Sequence, residues 1–262
     1  MKTVLVTGAA GGMGAAVCRK LTDQGYQVFA LDLRAVSVPG VSSILCDITD
    51  PDSLQQAQAS VLSQTDTLDC IVHTAGIYDL DALSEIDDDR FRRIFEINVF
   101  GVYRINRIFL PLMKEGGRIT ILTSELAPLD PLPFTGIYAI TKAALEKYAH
   151  SLRTELSLRG ISVSIVRPGA VKTGLLNVST TALERFCQNT KYFRPNAQRF
   201  YHIVNSIEAR SVPPEQIAEL VWRSLSQKRP RYVYNLNRNP LLRLLSVLPD
   251  HIQQWILTLI LR

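Results

Sequence analysis

The chain has little of what builds metal-stapled or disulfide-stapled proteins. Four cysteines occur in 262 residues, Cys18, Cys46, Cys70 and Cys187, with neither CxxC nor zinc-ligand spacing. Three stand in apolar surroundings, so buried free thiols are expected rather than a disulfide framework. The four histidines, His73, His150, His202 and His251, are too scattered to form a ligand set, and no metal site is expected. No internal repeat, low-complexity tract or Gly/Ser-rich linker divides the chain, so one main domain is expected. The apolar segments near the end are broken by Pro249 and Asp250, and each is too short to cross a bilayer. No nucleic-acid recognition motif accompanies the positive charge, and no such partner is expected. The opening MKTVLVTGAAGGMG passes from a short apolar run straight into glycines, unlike a signal peptide. A cytoplasmic location is the expectation, with attachment to a membrane surface as an open variant.

What is present is the composition of a soluble globular chain, 47% hydrophobic and 20% charged. Its formal charge of +5 is uneven: residues 181–262 hold 12 Lys/Arg against 5 Asp/Glu, and residues 1–180 hold 17 against 19. The basic excess therefore lies in the C-terminal third. It reads as a solvated face or as an attractor for an anionic surface or substrate.

Apolar, β-branched runs alternate with helical patterns. KTVLVT, QVFALDL, SSILCDI, TLDCIVHTA, GRITILT, GISVSIVRP and RYVYNL read as strands. Helices are expected near Met13–Gln24, over DPDSLQQAQASVLSQ, around Asp87–Leu112 and Gly136–Leu158, and over VPPEQIAELVWRSLSQ. Asp50 caps the second of these and Pro51 suits its first turn. Asp87, Asp88 and Asp89 complement the positive end of the next. Near-continuous apolar strands between helices predict an α/β fold with a parallel sheet covered on both faces, and a ligand at the carboxyl ends of the strands. After Thr173 the alternation lapses until Val212, which predicts a lid or small helices of its own.

TGAAGGMG, Thr7 to Gly14, follows the first strand and opens the first helix. There Gly8, Gly12 and Gly14 let a backbone approach a pyrophosphate at a positive helix end. Asp32 ends the second strand, where a carboxylate receives an adenosine ribose diol and repels a 2′-phosphate, so NAD is favoured; Arg34 nearby leaves NADP open. Tyr138 and Lys142, four apart, share a helix face, and Lys142 is expected to make the phenol acidic. With nine Tyr and eight Lys such a pair arises by chance ~0.3 times, so it carries weight only beside the glycine turn.

With these motifs in order, the chain from about Lys2 to Tyr234 resembles the short-chain dehydrogenase/reductase family, of the compact single-domain type. TGAAGGMG fits its TGxxxGxG, Asp47 its acidic residue after the third strand, HTAG its NNAG with His73 and Thr74 in place of both asparagines, and Asn98 in FEINVFG its central-helix asparagine. Tyr138 and Lys142 fit YxxxK, and Pro168, Gly169 and Thr173 fit PGxxxT. The resemblance implies a Rossmann-like doubly wound parallel sheet of about seven strands and NAD(P)-dependent interconversion of an alcohol and a ketone or aldehyde. It implies a catalytic set of Asn98, Ser124, Tyr138 and Lys142. It also implies cofactor contacts from Thr7, Gly8, Gly12, Met13, Gly14, Asp32, Asp47, Ile48, Ala75, Gly76, Tyr138, Lys142, Pro168, Gly169, Val171 and Thr173. Tyr138 would exchange the substrate proton, Lys142 bind the cofactor ribose, and Asn98 hold a water leading to solvent. The family serine stands thirteen residues before the tyrosine, a position held here by Glu125. Ser124, fourteen before, is favoured, because an anion beside a developing alkoxide would destabilise it; Glu125 is expected to face solvent or cap a neighbouring helix. Thr141 is expected on another face than the catalytic pair.

Residues 1–239 are read as the catalytic domain with a lid over 174–212, and 240–262 as an apolar tail that packs on the domain, on a subunit or on a membrane. The lid holds Leu175, Leu176, Phe186, Tyr192, Phe193, Phe200 and Tyr201 with Arg185, Lys191, Arg194, Arg199 and Arg210, which suggests an apolar substrate or simply aromatics packing the lid down. In the tail, Ile252, Trp255, Ile256, Leu259 and Ile260 are expected to form one stripe. Relatives imply a homodimer or homotetramer. Two other readings stay open: a nicotinamide-binding regulator with little turnover, and an epimerase or dehydratase of the larger relatives, although only 93 residues follow Gly169.

Overall fold

The computed structural model describes residues 1–208 and 211–262, without the side chains of 174–180 and 206–208. Seven strands, all parallel, make one sheet: β1 (Thr3–Thr7), β2 (Gln27–Asp32), β3 (Val41–Leu45), β4 (Leu68–His73), β5 (Met113–Leu122), β6 (Ser162–Pro168) and β7 (Val233–Leu236), in the spatial order 3-2-1-4-5-6-7. The helices are α1 (Gly12–Asp23), α2 (Pro51–Leu62), α3 (Asp88–Phe95), α4 (Gly101–Phe109), α5 (Gly136–Ser157), α6 (Gly174–Asn189), α7 (Arg194–Glu208), α8 (Glu215–Ser226), α9 (Pro240–Leu245) and α10 (Asp250–Leu261).

In the central strands successive residues enter opposite cores, which is why β1, β2 and the later part of β5 are buried almost without a break. Leu5, Phe29 and Leu31 pack with α2, α4 and α5 on one face, while Val4, Val6, Val28 and Ala30 pack with α1 and α8 on the other. The strand order reverses between β1 and β4, whose ends pair as Thr7 with His73, so the crevice for a ligand opens at their carboxyl ends. All four cysteines are free thiols, and Cys18, Cys46 and Cys70 are buried.

The expected cap forms at α2, and at α3 Asp87 adds a cap to the charge expected of it. The Asp50 carboxylate accepts from the amides of Asp52 and Ser53 ahead of α2, and Asp87 from that of Arg90 ahead of α3. The expected helix over Asp87–Leu112 is interrupted by one wide turn, Glu96–Phe100, and Asn98 sits within it, completely buried. Such a turn redirects a side chain that a regular helix would aim elsewhere.

Between β6 and α8 the chain forms two full helices, α6 and α7, rather than small ones. They are clamped to the loop after β4: the Glu85 carboxylate accepts from Thr190 Oγ1 at 2.6 Å and from the amides of Lys191 and Tyr192 at 2.8 and 3.0 Å, and Asp79 pairs with Arg90 and Arg185. Leu175, Leu176 and Arg210 lie outside the described residues and side chains. The helices α9 and α10 fold back across the carboxyl end of the sheet, and α10 packs against α7. No helix among the described residues is long and apolar enough to cross a membrane.

Candidate active site

The glycine turn after β1 is built for close approach. Gly8 has φ +69, and a Cβ there would lie 2.5 Å from the Ala75 amide nitrogen; one on Gly14 would lie 2.1 Å from Gly8 O. Thr74 Oγ1 donates to Thr7 O at 2.6 Å and Gly8 O at 3.2 Å, tying this turn to the end of β4. That role of the threonine in HTAG was not readable from the motif. The Asp32 carboxylate adjoins the same turn, accepting from the amides of Ala10 at 3.0 Å and Arg34 at 3.1 Å. Arg34 is exposed, its Nε 3.9 Å from Asp32. Asp47 is turned onto its own loop, accepting from the Thr49 amide and hydroxyl. Ile48 packs at the core margin, against the space that Gly101 leaves free.

Deeper in the crevice, β5 and α5 bring Ser124, Tyr138 and Lys142 together. Ser124 Oγ accepts from the Leu126 amide at 3.2 Å and stands on the Tyr138 side of the cavity, and Tyr138 packs edge-on against Tyr78 with ring centroids 4.7 Å apart. Lys142 Nζ donates to Leu122 O at 3.3 Å and lies 5.6 Å from the Tyr138 ring centre. Both are buried, and burial moves them in opposite directions. The phenol is pushed up to about 12, against the pull of Ser124, and the ammonium down to about 8. The chain alone therefore does not make Tyr138 acidic as its pairing with Lys142 suggests.

Asn98 Oδ1 accepts from the Ile77 amide at 2.8 Å, while its Nδ2 donates to Ile77 O at 2.9 Å and Thr141 Oγ1 at 3.1 Å. Thr141, set aside in the sequence as facing away from the catalytic pair, is thus what orients Asn98 from α5. Asn98 Oδ1 and Lys142 Nζ flank Gly76, whose missing Cβ would come within 3.2 and 3.4 Å of them.

A cavity of about 510 Å³ opens in front of this group. Met13, Gly76, Ser124, Tyr138, Lys142, Pro168, Gly169, Val171 and Thr173 all reach it. Thr7, Gly8, Gly12, Gly14, Ala75 and Asp32 border the adjoining glycine turn. The far wall was not foreseen. It is made by the tail: Leu242, Leu245 and Leu248, then Ile256, Leu257 and Leu261. Of the lid aromatics only Phe200 reaches the cavity, since Phe186, Phe193 and Phe200 gather around Phe134 and Tyr192 is exposed. The expected stripe on α10 is correspondingly split: Ile256 and Ile260 face the cavity, and Trp255 and Leu259 are exposed.

Glu125 does not face solvent. It is buried, lines the cavity, and accepts the Asn239 amide on Oε2 at 2.6 Å, while Asn239 itself caps α9 through the Leu241 amide. Burial raises its carboxyl, with the Asn239 hydrogen bond and the charge of Arg238 opposing. The tail is thereby fastened beside Ser124 at its start, and near its end by Asn196 Nδ2 donating to Leu261 O at 2.8 Å.

His73 is wholly buried, with Nε2 2.9 Å from Asn106 Oδ1 and Asn106 Nδ2 donating to the Tyr148 hydroxyl. An amide oxygen only accepts, so Nε2 carries a proton and donates it to Asn106. Burial lowers its pKa from 6.5 to about 4. Between those values the unfolded chain binds a proton that the folded chain refuses, so stability falls as pH drops through this window, in total by about 3 kcal/mol. Thermal unfolding followed from neutral to acid pH should show this fall, and His73→Asn should flatten it; an equal slope in both would remove His73 as the cause.

The model of the short chain dehydrogenase family matches residues 2–184. An uncharacterized oxidoreductase, YbbO, of Escherichia coli is 30% identical over 241 residues, 89% of this chain and 84% of the relative. A 3-ketodihydrosphingosine reductase of Bacteroides thetaiotaomicron is 26% identical over 261 residues, covering 97% and 96% of the two chains. Among solved structures, a short-chain dehydrogenase from Streptomyces avermitilis superposes with a TM-score of 0.77 at 25% identity, over 98% of this chain and 94% of that one.

Proposed function

Because the chain belongs to the short-chain dehydrogenase/reductase family of oxidoreductases, we propose that it interconverts a long-chain or otherwise lipophilic ketone and its alcohol, with NAD in preference to NADP. The observation that carries this reading is the cavity itself: Ser124, Glu125, Tyr138 and Lys142 gather at one side, and leucines and isoleucines of the tail make most of the opposite wall. An apolar wall of this kind favours a substrate that leaves water with its hydrocarbon part. The Bacteroides relative with nearly full coverage is named for a reductase of a sphingoid ketone, a substrate of that kind.

The glycine turn leaves the backbone bare where a pyrophosphate would approach the start of α1, and Asp32 stands at the ribose end. The residues thus fit a nicotinamide dinucleotide, which when bound supplies or accepts the hydride. Ser124 would hold the substrate oxygen, and Tyr138 would give it a proton as the carbonyl is reduced. The buried phenol is protonated at neutral pH, the form that can donate to the substrate oxygen. Lys142, with its pKa lowered to about 8, keeps its charge at pH 7; it would hold the cofactor ribose and return a proton to Tyr138, with a water at Asn98 Oδ1 leading to solvent.

Consumption of NADH and NADPH, each offered separately with a panel of short, fatty and polycyclic ketones, tests the reading. Turnover of lipophilic ketones with NADH ahead of NADPH is expected. Turnover confined to short polar ketones would refute the substrate class, and a preference for NADPH would refute the role of Asp32.

A further inference from the structure

The tail has two apolar faces, and only the inner one is used. Val247, Trp255 and Leu259 are 76%, 64% and 67% exposed and take no part in the cavity. Leu241, Leu244 and Ile260 both line the cavity and are exposed, so its apolar wall runs without a break onto the outer surface of α9 and α10. Clustered apolar side chains of this size are uncommon on a monomer unless something covers them.

Charge selects the occupant. Arg238 offsets the buried Glu125, which leaves the exposed Arg243 and Arg262 of the tail against Asp250 and, beside α10, Asp130. The adjoining α7 adds exposed Arg194 and Arg199. A second copy laid symmetrically on this face would oppose positive charge to positive charge and seal the mouth of the cavity. An anionic lipid surface would neutralise the arginines, take the apolar side chains into its acyl layer and seat the Trp255 indole at the boundary with water.

We propose that the outer face of α9 and α10 docks on an anionic bilayer, with the rim of Leu241, Leu244 and Ile260 set into it so that substrate passes from the membrane into the cavity without crossing water. The substrate half of this statement rests on the lipophilic reading above; the docking half does not.

Flotation of the full chain with vesicles separates the two. The protein should float with phosphatidylcholine vesicles containing phosphatidylglycerol, much less with phosphatidylcholine alone, and less as salt rises. The double variant Trp255→Glu, Leu259→Glu alters only outward positions. Its partition should drop roughly tenfold or more, with the unfolding midpoint and the turnover of a detergent-dispersed fatty ketone unchanged. Wild type that stays off both kinds of vesicle, or a double variant that floats as well as wild type, overturns the docking. So does a wild-type dimer that the double variant converts to monomer in sedimentation velocity, which would assign the face to a second copy. Flotation as expected without turnover of any lipophilic ketone leaves docking standing and overturns delivery of such a substrate.

Discussion

Tyr138→Phe is expected to lower turnover by roughly 10³-fold while NADH affinity and the unfolding midpoint stay near their wild-type values. The substitution deletes one oxygen. Its ring keeps the edge-on contact with Tyr78 and its place in the buried cluster with Ile94 and Ile137. What disappears is the hydroxyl, and with it the proton donor that lines the cavity beside Ser124. Because burial holds the phenol near 12, a rise of pH into the alkaline range should leave reduction supplied with a protonated tyrosine, whereas Lys142 discharges through about 8. The alkaline limb of the wild-type rate is therefore expected near 8 and assigned to Lys142. Retention of most activity by the phenylalanine variant would overturn the assignment of the acid, and full loss of NADH binding would show that the substitution had done something other than remove a proton.

Gly14→Ala is expected to damage both stability and cofactor binding. An alanine methyl there would stand 2.1 Å from Gly8 O and 2.7 Å from Thr74 Oγ1, and neither can retreat, because Thr74 Oγ1 also bonds Thr7 O and Gly8 lies against the Ala75 backbone. Forcing the turn open should cost about 1–3 kcal/mol and pull the backbone amides out of the arrangement that receives a pyrophosphate. The expected result is a lower unfolding midpoint with NADH affinity reduced at least about tenfold. Gly25→Ala is the matched control: φ is +77 there, but nothing lies within 4 Å of the added methyl. It should cost about 1 kcal/mol of backbone strain and leave NADH affinity intact. Equal affinities in the two variants would mean that the turn does not contact the cofactor.

The parts of the molecule that the sequence made legible are those whose physics is local. The central strands announce themselves by runs buried on both sides, and the glycine turn by positions where only hydrogen fits. Asp50 and Asp87 cap helices whose first residues lie next to them in the chain. What was illegible depends on partners far along the chain. Glu125 reads equally as a solvent-facing residue or a helix cap until Asn239, 114 residues later, places its amide on the carboxylate at the start of α9. Thr141 looks irrelevant until the wide turn at Glu96–Phe100 swings Asn98 toward it. The tail's apolar stripe was visible as a pattern, but a single helical period does not tell which side meets the cavity. Two contacts decided it, Asn196 with Leu261 and Glu125 with Asn239. The aromatic lid misled for the same reason: three of its rings answer to Phe134, only Phe200 reaches the cavity, and the wall made by the tail is aliphatic.

The most direct measurement is kcat/KM with NADH for a homologous series of unbranched methyl ketones of increasing chain length. If the hydrocarbon part is buried against Leu242, Leu245, Ile256 and Leu257, each added methylene should contribute up to about 0.8 kcal/mol, close to a fourfold gain, until the cavity is filled. A climb of that kind, lost in Tyr138→Phe, is the predicted result. A flat or falling series, with turnover still dependent on Tyr138, would contradict the account, leaving an oxidoreductase whose leucine-lined cavity is not its substrate site.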